Sequence, residues 1–300
     1  MSFRIVPFED IDIVKWNSCV HYAANGNVFG YHWFLKNTIK EWDAIVYRDY
    51  EAVMAIPRHH RKHGKSDEIK TPEYMRELGL YGIGLLNSQK VEEAISMFPA
   101  EIPNIRIALN LGNPVRNLPE FNIQQVKNHT ISLYDNYDKI RSGYTDEARQ
   151  IEDLSSMGWW LDNQLKPEEL IEFIFMKKQL DWDRYTALRI IYNALHRGIG
   201  VISSLRDQKK ELIAAAFFIH SHGRIVHLFS SSYKRSSVDP KLYLIDGMIQ
   251  THAGKPLIFD LNMSENLITR SLGAESYEYP VLTKGGSKRN WWASLVDYFQ

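Results

Sequence analysis

The chain has 300 residues, above the usual size of one compact core, so two domains are the starting expectation. Hydrophobic residues at 44% and charged residues at 24% exclude disordered and fibrous classes. The 36 basic side chains balance 36 acidic ones, so no net charge draws the chain to nucleic acid or anionic membrane.

Cys19 is the single cysteine and cannot close an internal disulfide, so nothing asks for an oxidising compartment. The N-terminus meets Glu9, Asp10 and Asp12 with no apolar run between. No stretch approaches the roughly 18 apolar residues of a spanning helix. A cytoplasmic protein with no transmembrane segment is the expectation.

In chain order, residues 11–20 read as a short helix, Asn25-Gly26-Asn27 as a turn, and 31–39 as a second helix with Tyr31, Phe34, Leu35 and Thr38 close to one face. Residues 43–46 and 51–56 read as a β-hairpin across Tyr47-Arg48-Asp49-Tyr50, ended by Pro57. A basic, histidine-rich turn follows at 59–64. Residues 81–86 form a short apolar segment. Ser88 suits the N-cap of a helix over 89–98, which Pro99 and Pro103 stop. Residues 105–111 and 129–133 read as strands.

A similar order then returns. Helices are expected over 147–157, from Pro167 to 180, and over 184–197, the last closed by Gly198. Strands at 199–205 and 212–219 form a hairpin, and 224–230 adds a third strand. A helix over 240–253, a strand over 257–261 and a helix over 264–272 complete the pattern. The repeated order predicts two copies of one α/β unit. The boundary falls within 111–127, where Gly112, Pro114, Pro119 and three asparagines gather, giving domains 1–127 and 128–300.

Along the first half, Asn25-Gly26-Asn27-Val28-Phe29, Tyr31-His32-Trp33-Phe34-Leu35 and Ala52-Val53-Met54-Ala55-Ile56-Pro57 are similar to GNAT-like proteins of Bacteroidetes. Further on, Leu212-Ile213-Ala214-Ala215-Ala216-Phe217-Phe218 resembles a FemAB strand, and Leu244-Ile245-Asp246-Gly247-Met248-Ile249 the helix after it. Phe259-Asp260-Leu261 with Ser264, then Leu272-Gly273-Ala274-Glu275, resembles the family's closing strand, serine, helix and Gly-Ala pattern. The chain thus resembles the FemAB-like, tandem GNAT acyltransferases over most of its length.

The resemblance implies an α/β (α+β) fold of two GNAT-like acyl-CoA N-acyltransferase units. Each would be a mixed, mostly antiparallel sheet flanked by helices, with the acyl-donor cleft in the second. It also implies transfer of an acyl group from a CoA thioester to a small-molecule or peptide amine. Two alternatives stand beside that reading. One is a retired GNAT scaffold acting as a binding protein. The other is a transferase that uses aminoacyl-tRNA. Where such relatives have a basic helix, residues 145–153 offer Arg149 and little else, so tRNA is a poor partner and DNA is not expected.

GNAT enzymes hold the CoA pyrophosphate on a glycine-rich loop at a helix N-terminus. The matching residues 233–240 contain no glycine. Ser231, Lys234, Arg235, Ser236 and Ser237 are the candidate donor-binding residues. Asp239 stands at the expected N-cap, where a carboxylate competes with phosphate for the same donors.

The candidate catalytic residues are His227, as general base on the central strand, and Asp260 or Glu265 beyond the next strand. The plain alternative for Asp260 is that it and Ser264 cap the following helix. No metal is expected. His59 and His63 lie in a turn without a carboxylate at ligand spacing, and His220 and His222 lack an acidic or thiol partner close in sequence.

Overall fold

A computed structural model of the protein describes residues 3–39, 41–59, 68–149, 151, 157–177, 183–233 and 239–285. In chain order the first elements are β1 (Phe3–Val6), α1 (Ile13–Tyr22), α2 (His32–Thr38), β2 (Glu41–Tyr47), β3 (Ala52–His59), β4 (Glu68–Lys70), β5 (Tyr81–Gly82), α3 (Ser88–Ser96), β6 (Asn104–Ala108) and β7 (Asn122–Ser132). They are followed by α4 (Tyr137–Ser142), α5 (Asp146–Arg149), β8 (Trp160–Asp162), α6 (Pro167–Lys177), α7 (Arg184–His196), β9 (Gly200–Arg206), β10 (Leu212–Ser221) and β11 (Arg224–Ser232). The last are α8 (Pro240–His252), β12 (Ile258–Asp260), α9 (Leu267–Ser271) and β13 (Glu275–Lys284). The chain forms two compact units that divide between Lys127 and Asn128, and the first unit regains the chain from Glu278.

In the first unit, Asp12 starts α1 by accepting the backbone N–H groups of Val14 and Lys15, each at 3.0 Å. These are donors that a helix start leaves open. The inner face of α1 buries Trp16, Cys19 and Val20. Trp16 meets Trp42 of β2 edge-on at 4.9 Å and donates its indole N–H to the Gly30 carbonyl at 2.8 Å. Burial pushes the Cys19 thiol up to about 12, so it packs as a small apolar side chain and offers no thiolate.

β1, β2 and β3 pair antiparallel, and β4 joins β3 antiparallel and β6 parallel across the α3 crossover. Residues Val281–Lys284 of β13 pair antiparallel with β6.

The parallel pair of this unit is closed. Beyond β4 the chain returns to β6 through Thr71 N–H to Arg106 O at 2.9 Å and Leu78 N–H to Ala108 O at 2.8 Å. Asparagine side chains then fill the space. Asn113 bonds both the N–H and the carbonyl of Leu80 at 2.8 Å, and Asn25 reaches the same carbonyl at 2.7 Å and Asn110 Oδ1 at 3.0 Å. The Asn25-Gly26-Asn27 turn is therefore an anchor for this stitching as well as a turn.

The second unit runs β7-β12-β11-β10-β9-β8, antiparallel except for β11 and β12, which are parallel and joined by α8. Its core takes Phe218, Phe259, Leu205, Ile225, Leu244, Ile245 and Ile249, all at most 1% exposed. Both units are thus mixed, mostly antiparallel sheets flanked by helices, each with one parallel pair spanned by a helix. Gly273 marks a close approach. Its φ is +59°, and a Cβ there would lie 2.3 Å from the Gly143 carbonyl oxygen, so a side chain cannot be accommodated without backbone movement.

Asp246 sits inside α8 with its carboxylate held by the hydroxyls of Tyr137 and Tyr144, each at 2.8 Å. Burial raises its carboxyl above the ordinary carboxylate range, and the two tyrosine bonds and Arg141 only partly oppose this. A raised folded-state value means the folded chain holds the proton more tightly than the unfolded one. The resulting stability is present in full below the unfolded aspartate value, about 3.9, and is lost as pH rises from there to the raised folded value. Urea melts of the protein and Asp246→Asn from pH 4 upward check this. The stability of the parent relative to the variant is expected to fall through that window and then level off, and a rise would contradict it.

The sequence pattern misses β1, β4, β8 and β13, and the short helix α4. In β13 the run Tyr279, Val281, Leu282 is buried but Pro280 interrupts it, and a proline inside a run argues against a strand. Here the Pro280 carbonyl still accepts from Leu109 N–H at 2.8 Å, so only the donor side is lost. The helix expected over 147–157 is replaced by the short α5, and residues 152–156 lie outside the described residues. The last helix begins at Leu267, with Asn266 as its cap in a reciprocal capping box with Thr269, so neither Ser264 nor Asp260 caps it.

Candidate active site

In the second unit β11 and β12 pair only over Arg224–Val226 and Ile258–Asp260. β11 continues to Ser232 paired with β10 alone. The register between these two strands shifts so that Phe217 faces Phe229 and Phe218 faces His227, which leaves Leu228 as an extra residue. A bulge of this kind bends its strand and re-aims the neighbouring side chains. The parallel pairing therefore ends at Val226 and Asp260, where β12 itself ends, and the bulge lies just beyond.

His227 stands at that point. It is 4% exposed, lies 5.5 Å from the Phe218 ring, and its Nδ1 is 3.1 Å from the Leu261 carbonyl. A carbonyl only accepts, so Nδ1 carries the hydrogen and the neutral imidazole has its lone pair at Nε2.

Asp260 is committed elsewhere. Its Oδ1 accepts from Asn128 Nδ2 at 2.7 Å and from the backbone N–H of Asn262 at 2.9 Å, and its Oδ2 pairs with Arg224 Nη1 at 3.2 Å. Asn128 Nδ2 also donates to the Tyr277 hydroxyl at 2.8 Å. The bond to Asn262 folds the turn after β12, where Asn262 has a φ of +53°. Leu261, whose carbonyl holds His227, lies between the two ends of that bond. Both Asp260 oxygens are thus engaged, and its bonds fix the turn that carries the Leu261 carbonyl.

Glu265 pairs with Arg270 at 2.9 Å in an exposed position and shares no hydrogen bond with His227 or Asp260. Ser231 is buried on β11 opposite Ala215. Lys234, Arg235, Ser236 and Ser237 lie outside the described residues.

The start of α8 is occupied by its own chain. Asp239 Oδ1 accepts the backbone N–H of Lys241 at 2.9 Å and the Ser232 hydroxyl at 2.6 Å, and its Oδ2 lies 3.6 Å from Lys241 Nζ. Pro240, at the first helical position, has no N–H to offer. The helix N-terminus where an anion would sit thus already carries a carboxylate.

Phe229 stacks on Phe217 at 5.5 Å and Tyr243 meets Trp159 edge-on at 5.4 Å. His60 and His63, like Trp291 and Trp292, fall outside the described residues. Among those described, no group of three or more His, Cys, Asp or Glu side chains is gathered to hold a metal.

The chain is similar to FemX, with a TM-score of 0.61 at 10% identity over 93% of this chain and 97% of that one. The fold is that of the tandem GNAT proteins. A tandem GNAT protein from the clavulanic acid biosynthesis pathway matches with a TM-score of 0.53 at 9% identity, covering 96% of this chain and all of that one. L-PGS from Bacillus licheniformis matches with a TM-score of 0.54 at 10% identity and 96% coverage of each chain. No family model and no curated protein matches the sequence. No described helix is long and apolar enough to cross a membrane.

Sequence reasoning placed His227 and Asp260 near one another but missed Arg224, Asn128, Asn262 and Tyr277. Asn128 lies 132 residues from Asp260 and Arg224 lies 36 away, and no local pattern announces either pairing.

Proposed function

We propose that the protein is an N-acyltransferase that moves an acyl group from a CoA thioester to an amine, with its reaction centre in the second unit. The observation that supports this most is His227, a neutral imidazole held through Nδ1 to Leu261, at the end of the parallel pairing of β11 and β12. The corresponding pair in the first unit is stitched shut by asparagines, which favours the second unit.

The reaction requires the acceptor nitrogen to attack the thioester carbonyl carbon. His227 Nε2 takes the amine proton as the C–N bond forms. The C–S bond then breaks, and the thiolate of CoA leaves and is protonated. Binding would supply orientation, and His227 the proton transfer.

Asp239 favours a second reading, a GNAT scaffold that has lost its donor site. Its carboxylate opposes the CoA diphosphate at the start of α8. Removing a like charge there is worth up to about 2 kcal/mol, which is more than tenfold in affinity. Calorimetry with acetyl-CoA and longer acyl-CoAs tests both readings. The parent is expected to bind, and Asp239→Gly to bind roughly tenfold more tightly. Binding by Asp239→Gly alone supports the retired scaffold, and no heat from either protein with any chain length sinks the acyltransferase.

A further inference from the structure

The second unit contains a cavity of about 710 Å3 away from the start of α8. Its wall on α8 begins at Leu244, about 7.5 Å along the axis from Asp239, and ends at His252, about 20 Å from that cap at 1.5 Å per residue. The other walls are the start of β9, the end of β10 and the segment before α6. The volume is in the usual range for a small-molecule site.

Its lining divides by chemistry. Leu161, Leu165, Ile202, Leu244 and Met248 give an apolar body. His220, His252 and Lys166 give basic groups, and no carboxylate among the described residues lines the cavity. The two imidazoles lie 5.1 Å apart between ring centroids. Gly247 lies in the wall in the middle of α8, where a Cβ would meet no atom within 4 Å. A glycine inside a helix costs stability relative to alanine, and here its missing side chain leaves the cavity open.

We propose that this cavity binds a small aliphatic carboxylate, its head on His220, His252 and Lys166 and its chain against the apolar wall. A monoanion suits one lysine and two imidazoles better than a dianion does. His252 donates Nδ1–H to the Met248 carbonyl at 2.9 Å, so its neutral ring presents a bare Nε2. A carboxylate can be held there only once a proton is added. Burial, His252 and Lys255 keep the His220 imidazole less basic than usual, which favours the neutral empty state. The groups around His220 are thus His252 and Lys255 at the end of α8, Lys166 across the cavity and His222 on its own hairpin, whose Nδ1 is 2.7 Å from Ser221 Oγ. Binding must then take up a proton and weaken as pH rises.

Titration calorimetry with sodium octanoate and 1-octanol, at pH 6 and pH 8, tests this on the full chain. Octanoate is expected to bind at least roughly tenfold more tightly at pH 6 than at pH 8, as one proton taken up requires. Octanol should bind with no pH dependence. Gly247→Met should abolish both while melting at or above the parent's temperature, because methionine is a better helix former and enters open space. The double variant His220→Asn, His252→Asn should keep octanol and lose the preference for octanoate. Octanoate binding that is absent, independent of pH or unaffected by Gly247→Met overturns the proposal. Acyl-CoA binding at the other end of α8 is read separately, so the two assignments can fail independently.

Discussion

Replacing Asp260 by alanine is expected to destabilise the protein by roughly 3 kcal/mol. Removing one partner of a buried ion pair costs about 3–5 kcal/mol. The lower end applies because Arg224 keeps a quarter of its side chain in water, at 25% exposure against 9% for Asp260, and still lies over the Tyr277 ring. The variant also takes an acceptor from Asn128 and from the Asn262 N–H. Asp260→Asn, which keeps an acceptor for the backbone bond, should lose clearly less. Urea unfolding monitored by tryptophan fluorescence measures both. A loss under about 1 kcal/mol for the alanine variant would mean that Asp260 does not hold the turn after β12, since hydrogen bonds to a charged group are worth about 1.5–3 kcal/mol. The same turn carries the Leu261 carbonyl, so even a folded Asp260→Asn should lower kcat more than it raises KM.

The second large effect concerns His227. With an amine panel and acetyl-CoA, followed by release of the free thiol, His227→Gln is expected to lower kcat/KM by roughly 100- to 10,000-fold, the usual contribution of a positioned general base. Acyl-CoA affinity should stay near that of the parent, because none of the candidate donor-binding residues is His227. The rise in rate with pH that reports imidazole deprotonation should vanish in the variant. A folded His227→Gln within about threefold of the parent removes His227 from the chemistry, since a general base is worth at least about a hundredfold.

The sequence by itself determined the local pieces. Asp239 caps α8 as its place before Pro240 implies, while α3 is capped by Asn87, one residue before the expected Ser88, because its side chain accepts the Lys90 N–H. The apolar alternation of β9 to β11 and the long run of β10 mark a hairpin and a buried central strand. Order and spacing also showed that one α/β plan occurs twice.

What only the tertiary structure decided are the relations across distance. Both units carry a parallel pair, yet one is followed by stitching from Asn25 and Asn113 while the other ends beside His227. That difference lies in side chains up to 88 residues apart, and local periodicity holds no trace of it. Asp260 stands alone in the local sequence and is engaged only when Arg224 and Asn128 arrive from other strands. The cavity beside Gly247 is equally invisible, because a helical glycine reads as a small defect until the neighbouring elements leave space around it. Propensity and capping act within a few residues, whereas ion pairing, strand divergence and cavities depend on which distant segments the fold brings together.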